Sequence, residues 1–127
     1  MNYTLPLLSA LFLLSSCNQT KSRYEYLEKN DAFRKKIGKE NFVRSSHGFT
    51  YYESQNMEHD EILVFIHGFS VPSYIWDETY FEAARRGLGV LRLDLYGRGY
   101  SSNPNIAYKD VLYADQVIEL LKSLNIT

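Results

Sequence analysis

At 127 residues the chain has room for one domain at most. Its 14 Lys and Arg against 15 Asp and Glu give a formal net charge of −1, with no sustained basic stripe or recognition motif, so nothing in it calls for a nucleic-acid partner. A single cysteine rules out an intramolecular disulfide, and an oxidising compartment would add nothing to the fold.

The first element is the apolar run Leu5 to Leu14. It has the length of a signal-peptide hydrophobic region and is too short to cross a bilayer as a helix. Leu14-Ser15-Ser16-Cys17 follows and resembles the lipobox of bacterial lipoproteins, with Leu three residues before the Cys and two small residues between. The resemblance implies a signal peptide over residues 1–16, lipid on Cys17, a membrane as partner and a place in the bacterial cell envelope. The alternative is an uncleaved apolar tail with an incidental cysteine.

Residues 17–40 read as a polar tether, with a helix expected near Glu28 to Lys36. From Lys21 to Arg44 eight basic residues stand against four acidic, a net of +4. Behind a lipid anchor this segment would meet anionic head groups; as a mixed-charge linker helix it would simply be solvated. The packed domain is expected over residues 41–127. Asn41 to Ser46 and Phe49 to Ser54 flank the turn signal Ser46-His47-Gly48 and predict a hairpin. Ile62 to Ile66 is an unbroken apolar run, which predicts a strand buried on both faces.

Ser73 is the candidate N-cap of a helix running to about Arg86, with Ile75, Trp76, Tyr80, Phe81 and Ala84 facing inward and Gly87 ending it. Gly89 to Leu95 predicts the next buried strand. Tyr108 to Leu124 then places Val111, Ala114, Ile118, Leu121 and Leu124 at helical spacing. Strand, helix, strand, helix after an antiparallel hairpin predicts an α/β fold with a parallel unit, whose ligands gather at the carboxyl ends of the strands.

Those strand ends carry the motifs. His67-Gly68-Phe69 closes the first parallel strand, Val71-Pro72-Ser73-Tyr74-Ile75-Trp76 follows, and Asp94-Leu95-Tyr96-Gly97-Arg98-Gly99-Tyr100-Ser101 closes the second. Together they resemble the front half of an α/β-hydrolase, an incomplete sheet that stops before the nucleophile elbow. The resemblance implies an oxyanion loop at His67 and Gly68, with the Phe69 backbone N–H as donor and Gly68 permitting a sharp turn. It implies a structural loop at Asp94, Gly97, Gly99 and Ser101. His67 is then not the general base, because that histidine comes late in the family's chain order.

Gly68-Phe69-Ser70-Val71-Pro72 has Pro72 where the elbow pattern requires glycine, so Ser70 is read as a decoy. His47 and His59 are read as surface or packing residues. No cluster has metal spacing, and no cofactor is implied. No catalytic triad is expected in this chain; its members would lie beyond Thr127. The function implied is a membrane-anchored serine hydrolase acting on small ester-like substrates. The alternatives are an inactive truncated product and a lipid-tethered, non-catalytic binding module.

Overall fold

The computed structural model describes residues 29–126. Leu5 to Leu14 and Cys17 lie outside the described residues. The Asn30 side chain opens α1 (Asp31–Ile37) by accepting from the Phe33 N–H, and Gly38, at φ 63°, closes it with its N–H on the Lys35 carbonyl. A helix of seven residues does not hold by propensity alone. The Arg34 guanidinium fixes it, lying 3.5 Å from the centre of the Phe49 ring and donating to the Lys29 carbonyl at 2.9 Å.

The hairpin forms where expected. β1 (Phe42–Ser45) pairs antiparallel with β2 (Gly48–Gln55), Phe42 opposite Tyr51 and Ser45 opposite Gly48. The Ser46 N–H at the turn donates to the Glu119 carboxylate at 2.7 Å. β3 (Ile62–Ile66) runs parallel to β4 (Gly89–Leu93), β2 runs antiparallel to β4, and the sheet order is β1-β2-β4-β3. A 3₁₀ turn (Ser73–Trp76) and α2 (Asp77–Arg85) join β3 to β4, and α3 (Asp110–Ser123) follows β4. The fold is thus a mixed α/β sheet with an antiparallel hairpin ahead of a parallel strand, helix, strand, helix unit.

Alternation along β4 sends its two faces into two clusters. Leu91 and Leu93 pack with Leu120 and the partly buried Val117 and Tyr113 of α3, while Val90 packs with Tyr80 and Ala83 of α2. The helices therefore cover opposite faces. α2 ends in a Schellman arrangement: Gly87, at φ 81°, donates to the Ala84 carbonyl and Leu88 to the Ala83 carbonyl.

Three expectations need correcting. β4 is buried at every residue, but β3 is not: it is the edge strand of the described sheet, with Leu63 47% and Ile66 46% exposed. An apolar run reports what a strand is able to bury, not whether neighbours cover it. Ser73 is the first residue of the 3₁₀ turn, whose N-cap is Pro72, and Asp94 accepts from its N–H; Ile75 and Phe81 lie exposed while Ala83 goes inward. In α3 the buried line is Leu112, Gln116 and Leu120, leaving Val111 62% and Ile118 47% exposed. Counting apolar residues turned this helix by about one residue's rotation, because the residue at the centre of its buried face is a glutamine.

Sequence reading also passed over Arg92. It lies buried within β4, opposite Glu53 in the register, donating from Nε to the Glu53 carboxylate at 2.8 Å and from Nη1 to Asp77 at the start of α2. Its guanidinium lies 4.5 Å from the centre of the Tyr80 ring. Burial would raise the Glu53 carboxyl, but hydrogen bonds from Tyr51 and Arg92 and the charges of Arg92 and Lys39 hold it below its usual range. Burial in turn pushes the Tyr51 hydroxyl up, reinforced by its bond to Glu53 and that carboxylate's charge.

Within the described sheet the edge of β3 is exposed and uncharged, a template for pairing with a further strand or with another molecule. Leu63→Lys with Ile66→Lys is expected to move material from large species to monomer in light scattering. Because both side chains are half exposed, the melting temperature should change little. Unchanged association in the double variant would clear this edge.

Candidate oxyanion loop and its supports

The loops after β3 and β4 meet at the carboxyl ends of the two parallel strands. Asp94, buried just past β4, ties them together: one carboxylate oxygen accepts from the Ser73 N–H at 2.8 Å and the other from the Tyr100 N–H at 2.8 Å. Glycine is mandatory at Gly99, where φ is 46° and a Cβ would fall 1.9 Å from Asp94 Oδ2. Ser101 is fully buried, its hydroxyl accepting from the Tyr51 N–H at 2.9 Å and donating to the Asp94 carbonyl. Gly97, at φ 77°, turns the chain so that its N–H reaches the Ser102 carbonyl at 2.9 Å.

Gln116 supports this arrangement from α3. Its Oε1 accepts from the Tyr96 N–H at 2.9 Å, and its Nε2 donates to Thr50 Oγ1 at 3.0 Å and to the Asp94 carbonyl at 3.1 Å. Past the end of a strand the backbone has lost its ladder partners, and a glutamine offers a donor and an acceptor to replace them. A polar residue on the buried line of α3 was the available signal. The Lys29 ammonium donates to the Arg98 carbonyl at 3.3 Å on the same loop. Burial pushes it down to about 8, against the charge of Asp94 and with that of Arg98.

His67 is buried, with both ring nitrogens engaged. Nε2 accepts from the Leu95 N–H at 2.9 Å, which leaves Nδ1 as the protonated nitrogen, donating to the Gly68 carbonyl at 2.7 Å. That carbonyl belongs to the Gly68–Phe69 peptide. In a trans peptide the C=O and N–H point in opposite directions, so by holding the oxygen His67 turns the Phe69 N–H away from itself. Among the described residues nothing accepts from this N–H. The next carbonyl, that of Phe69, takes a hydrogen bond from Arg98 Nε, and the Phe69 ring, 84% exposed, lies 4.7 Å from the Arg98 guanidinium carbon.

Gly68 departs from expectation. Its φ is outside the left-handed region and a Cβ there would meet nothing within 4 Å, so no clash within the described residues requires glycine. The loop borders open space instead. Ser70 is exposed, and among the described residues no hydrogen bond joins a serine hydroxyl to a histidine ring. His47 and His59 are exposed, at the hairpin turn and in the loop before β3. No group of three or more His, Cys, Asp or Glu converges among the described residues in a way that would hold a metal ion.

The family model described as "Alpha/beta hydrolase family" matches residues 63–126, which contain all of β3 but its first residue, β4, both helices of the parallel unit and the two joined loops. The chain belongs to the alpha/beta hydrolase family. Among solved structures it is similar to an esterase (EaEST) from Exiguobacterium antarcticum, with 19% identity, TM-score 0.63 and coverage of 68% of this chain and 32% of that one. It is also similar to Est816, an N-acyl homoserine lactone degrading enzyme, at 30% identity and TM-score 0.60, covering 66% of this chain and 31% of that one. A haloalkane dehalogenase DbeA-M1 loop variant from Bradyrhizobium elkanii gives 25% identity and TM-score 0.60, covering 67% and 28%. The chain thus spans about a third or less of the length of each hydrolase. No curated protein sequence matches it.

Asp94→Asn replaces one of two acceptors with a donor, so either Ser73 or Tyr100 must face an N–H. The expected cost is about 1.5–3 kcal/mol, the range for a hydrogen bond to a charged group. Amide exchange should accelerate at whichever of Ser73 and Tyr100 meets the new donor, and Gly99→Ala should accelerate it at both through its clash with the carboxylate. Unchanged protection at both amides would show that the carboxylate does not join the loops.

Proposed function

We propose that this chain supplies the oxyanion-binding part of a membrane-anchored serine hydrolase acting on small ester-like substrates. The observation that carries the reading is the Gly68–Phe69 peptide, whose carbonyl is held by His67 while its N–H has no acceptor among the described residues. A fixed dipole of this kind stabilises charge developing on a carbonyl oxygen and needs no reorganisation as the reaction proceeds. His67 positions the donor, and the Leu95 N–H keeps His67 in the tautomer that does so. The nucleophilic serine attacks the acyl carbon, its histidine takes the proton and returns it to the leaving group, and the Phe69 N–H with the amide after the nucleophile holds the oxyanion. That serine, its histidine and the acid come from outside residues 29–126.

Joining the remaining length of a related esterase to this chain allows the donor to be tested. Phe69→Ala keeps the N–H and should alter substrate fit alone. Phe69→Pro deletes the N–H and should lower kcat by about 10² to 10³, or about 2.7–4 kcal/mol, with circular dichroism unchanged. Equal losses in the two folded variants would sink the oxyanion assignment.

A second reading is a lipid-tethered binding module without chemistry. It is favoured by His67, whose two nitrogens are occupied, and by Ser70, which has no basic partner among the described residues.

Membrane anchoring rests on Leu14-Ser15-Ser16-Cys17, the sole cysteine standing at the lipobox position. Labelled palmitate fed to expressing bacteria should mark the wild type and spare Cys17→Ser. Equal labelling of the two would remove the anchor.

A further inference from the structure

We infer that α1 and β1 together form a docking face for anionic membrane headgroups. The charge of the described chain is segregated. Residues 29–44 carry six basic side chains against two acidic, a net of +4, while residues 45–126 carry six against eleven, a net of −5. A chain whose formal net charge is −1 thus has one strongly cationic segment, and it is the segment nearest Cys17.

The fold concentrates that charge. Phe49 lies opposite Arg44 in the hairpin register and takes two guanidinium groups, that of Arg34 at 3.5 Å and that of Arg44 at 5.6 Å from its ring centre. One ring thereby holds the cationic helix against the cationic strand. Lys35, Lys36 and Arg44 are exposed, and none has a carboxylate partner among the described residues. Beside them Arg34, Lys35, Gly38, Lys39, Glu40 and Phe42 line an open groove of about 370 Å³ with three cations and one carboxylate. Glu40 is exposed, Asp31 is taken by Arg34, and Lys39 lies 3.7 Å from the Glu53 carboxylate.

A headgroup layer fits this face better than a single soluble anion, because the cations are spread along a helix and a strand instead of converging on one point. Each cation near an anionic surface is worth about fivefold in binding, and within about 10 Å of that surface the attraction survives ordinary salt. The inference deepens the membrane reading above but does not need the lipid: the lipid would set where the protein resides, and the cationic face how it lies there.

The test uses the full chain carrying Cys17→Ser, which removes any lipid, with phosphatidylcholine vesicles and with mixed phosphatidylcholine and phosphatidylglycerol vesicles. The apolar segment Leu5 to Leu14 contributes equally to both, so the difference between them reports the charged face. Binding should favour the mixed vesicles and lose that preference between about 0.1 and 1 M salt, as the screening length falls from about 10 to 3 Å. Lys35→Gln with Lys36→Gln should weaken binding to the mixed vesicles about 25-fold, and adding Arg44→Gln should bring the loss to about 100-fold. Lys109→Gln with Lys122→Gln, which removes two cations from the acidic remainder, should leave binding unchanged. Should Arg44→Gln disturb the hairpin in circular dichroism, the lysine pair and the salt dependence of the unsubstituted face still decide the matter. Equal binding to both vesicle types, equal losses in the two lysine pairs, or displacement from mixed vesicles by inorganic phosphate at constant ionic strength would each overturn the proposal. The palmitate experiment is independent of all these outcomes, so failure of the lipid anchor and failure of the face are distinguishable.

Discussion

A carboxylate taken out of water at the end of a buried strand must be met by donors, and the donors that meet Asp94 come from two separate loops. Every other feature of the candidate site depends on this. With the Ser73 N–H on one oxygen, the segment after His67 is pinned at its far end; with the Tyr100 N–H on the other, the turn through Gly97 and Gly99 is folded back onto β4. Gly99 then has no freedom to be anything else, because the carboxylate occupies the space a side chain would need. The loops are therefore held as one body by charge-assisted hydrogen bonds, which are roughly twice as strong as neutral ones.

Polar groups carry out the same task at two further points. Gln116 closes the backbone beyond β4 from the helix side, and His67 spans from the Leu95 N–H to the Gly68 carbonyl. Both side chains are buried and both are fully engaged, as buried polar groups must be. The consequence for His67 is chemical as well as structural. A ring whose acceptor nitrogen is already occupied has no lone pair to offer a nucleophile, so this histidine orients a peptide. On the other side of the sheet, Arg92 joins β2 to the start of α2 through Glu53 and Asp77. A buried arginine is tolerated there because two carboxylates and an aromatic ring surround it.

Several of these arrangements are legible in the sequence. The hairpin around Ser46-His47-Gly48, β4 and the end of α2 at Gly87 all stand where the pattern of apolar and turn residues put them. The failures share a cause. Val111 and Ile118 were assigned to the core and Gln116 was not, yet Gln116 is buried because the peptide groups beyond β4 need its amide. Arg92 was passed over for the same reason. Apolar periodicity assumes that polar residues face water, and it fails wherever a polar residue is buried to satisfy another polar group.

The sequence by itself determined the fold class and the positions of the two loops, since both follow from local pattern: apolar runs, glycines at turns, and motifs at strand ends. It also determined the charge imbalance between residues 29–44 and the rest of the chain. Only the tertiary structure decided that β3 is the edge strand of the described sheet, which way α3 is turned, which nitrogen of His67 carries its proton, and that Arg34 and Arg44 share one ring. Each of these depends on partners distant in sequence. Whether a strand is covered, or which peptide a side chain reaches, is set by packing and hydrogen bonding between segments, and no local pattern encodes it.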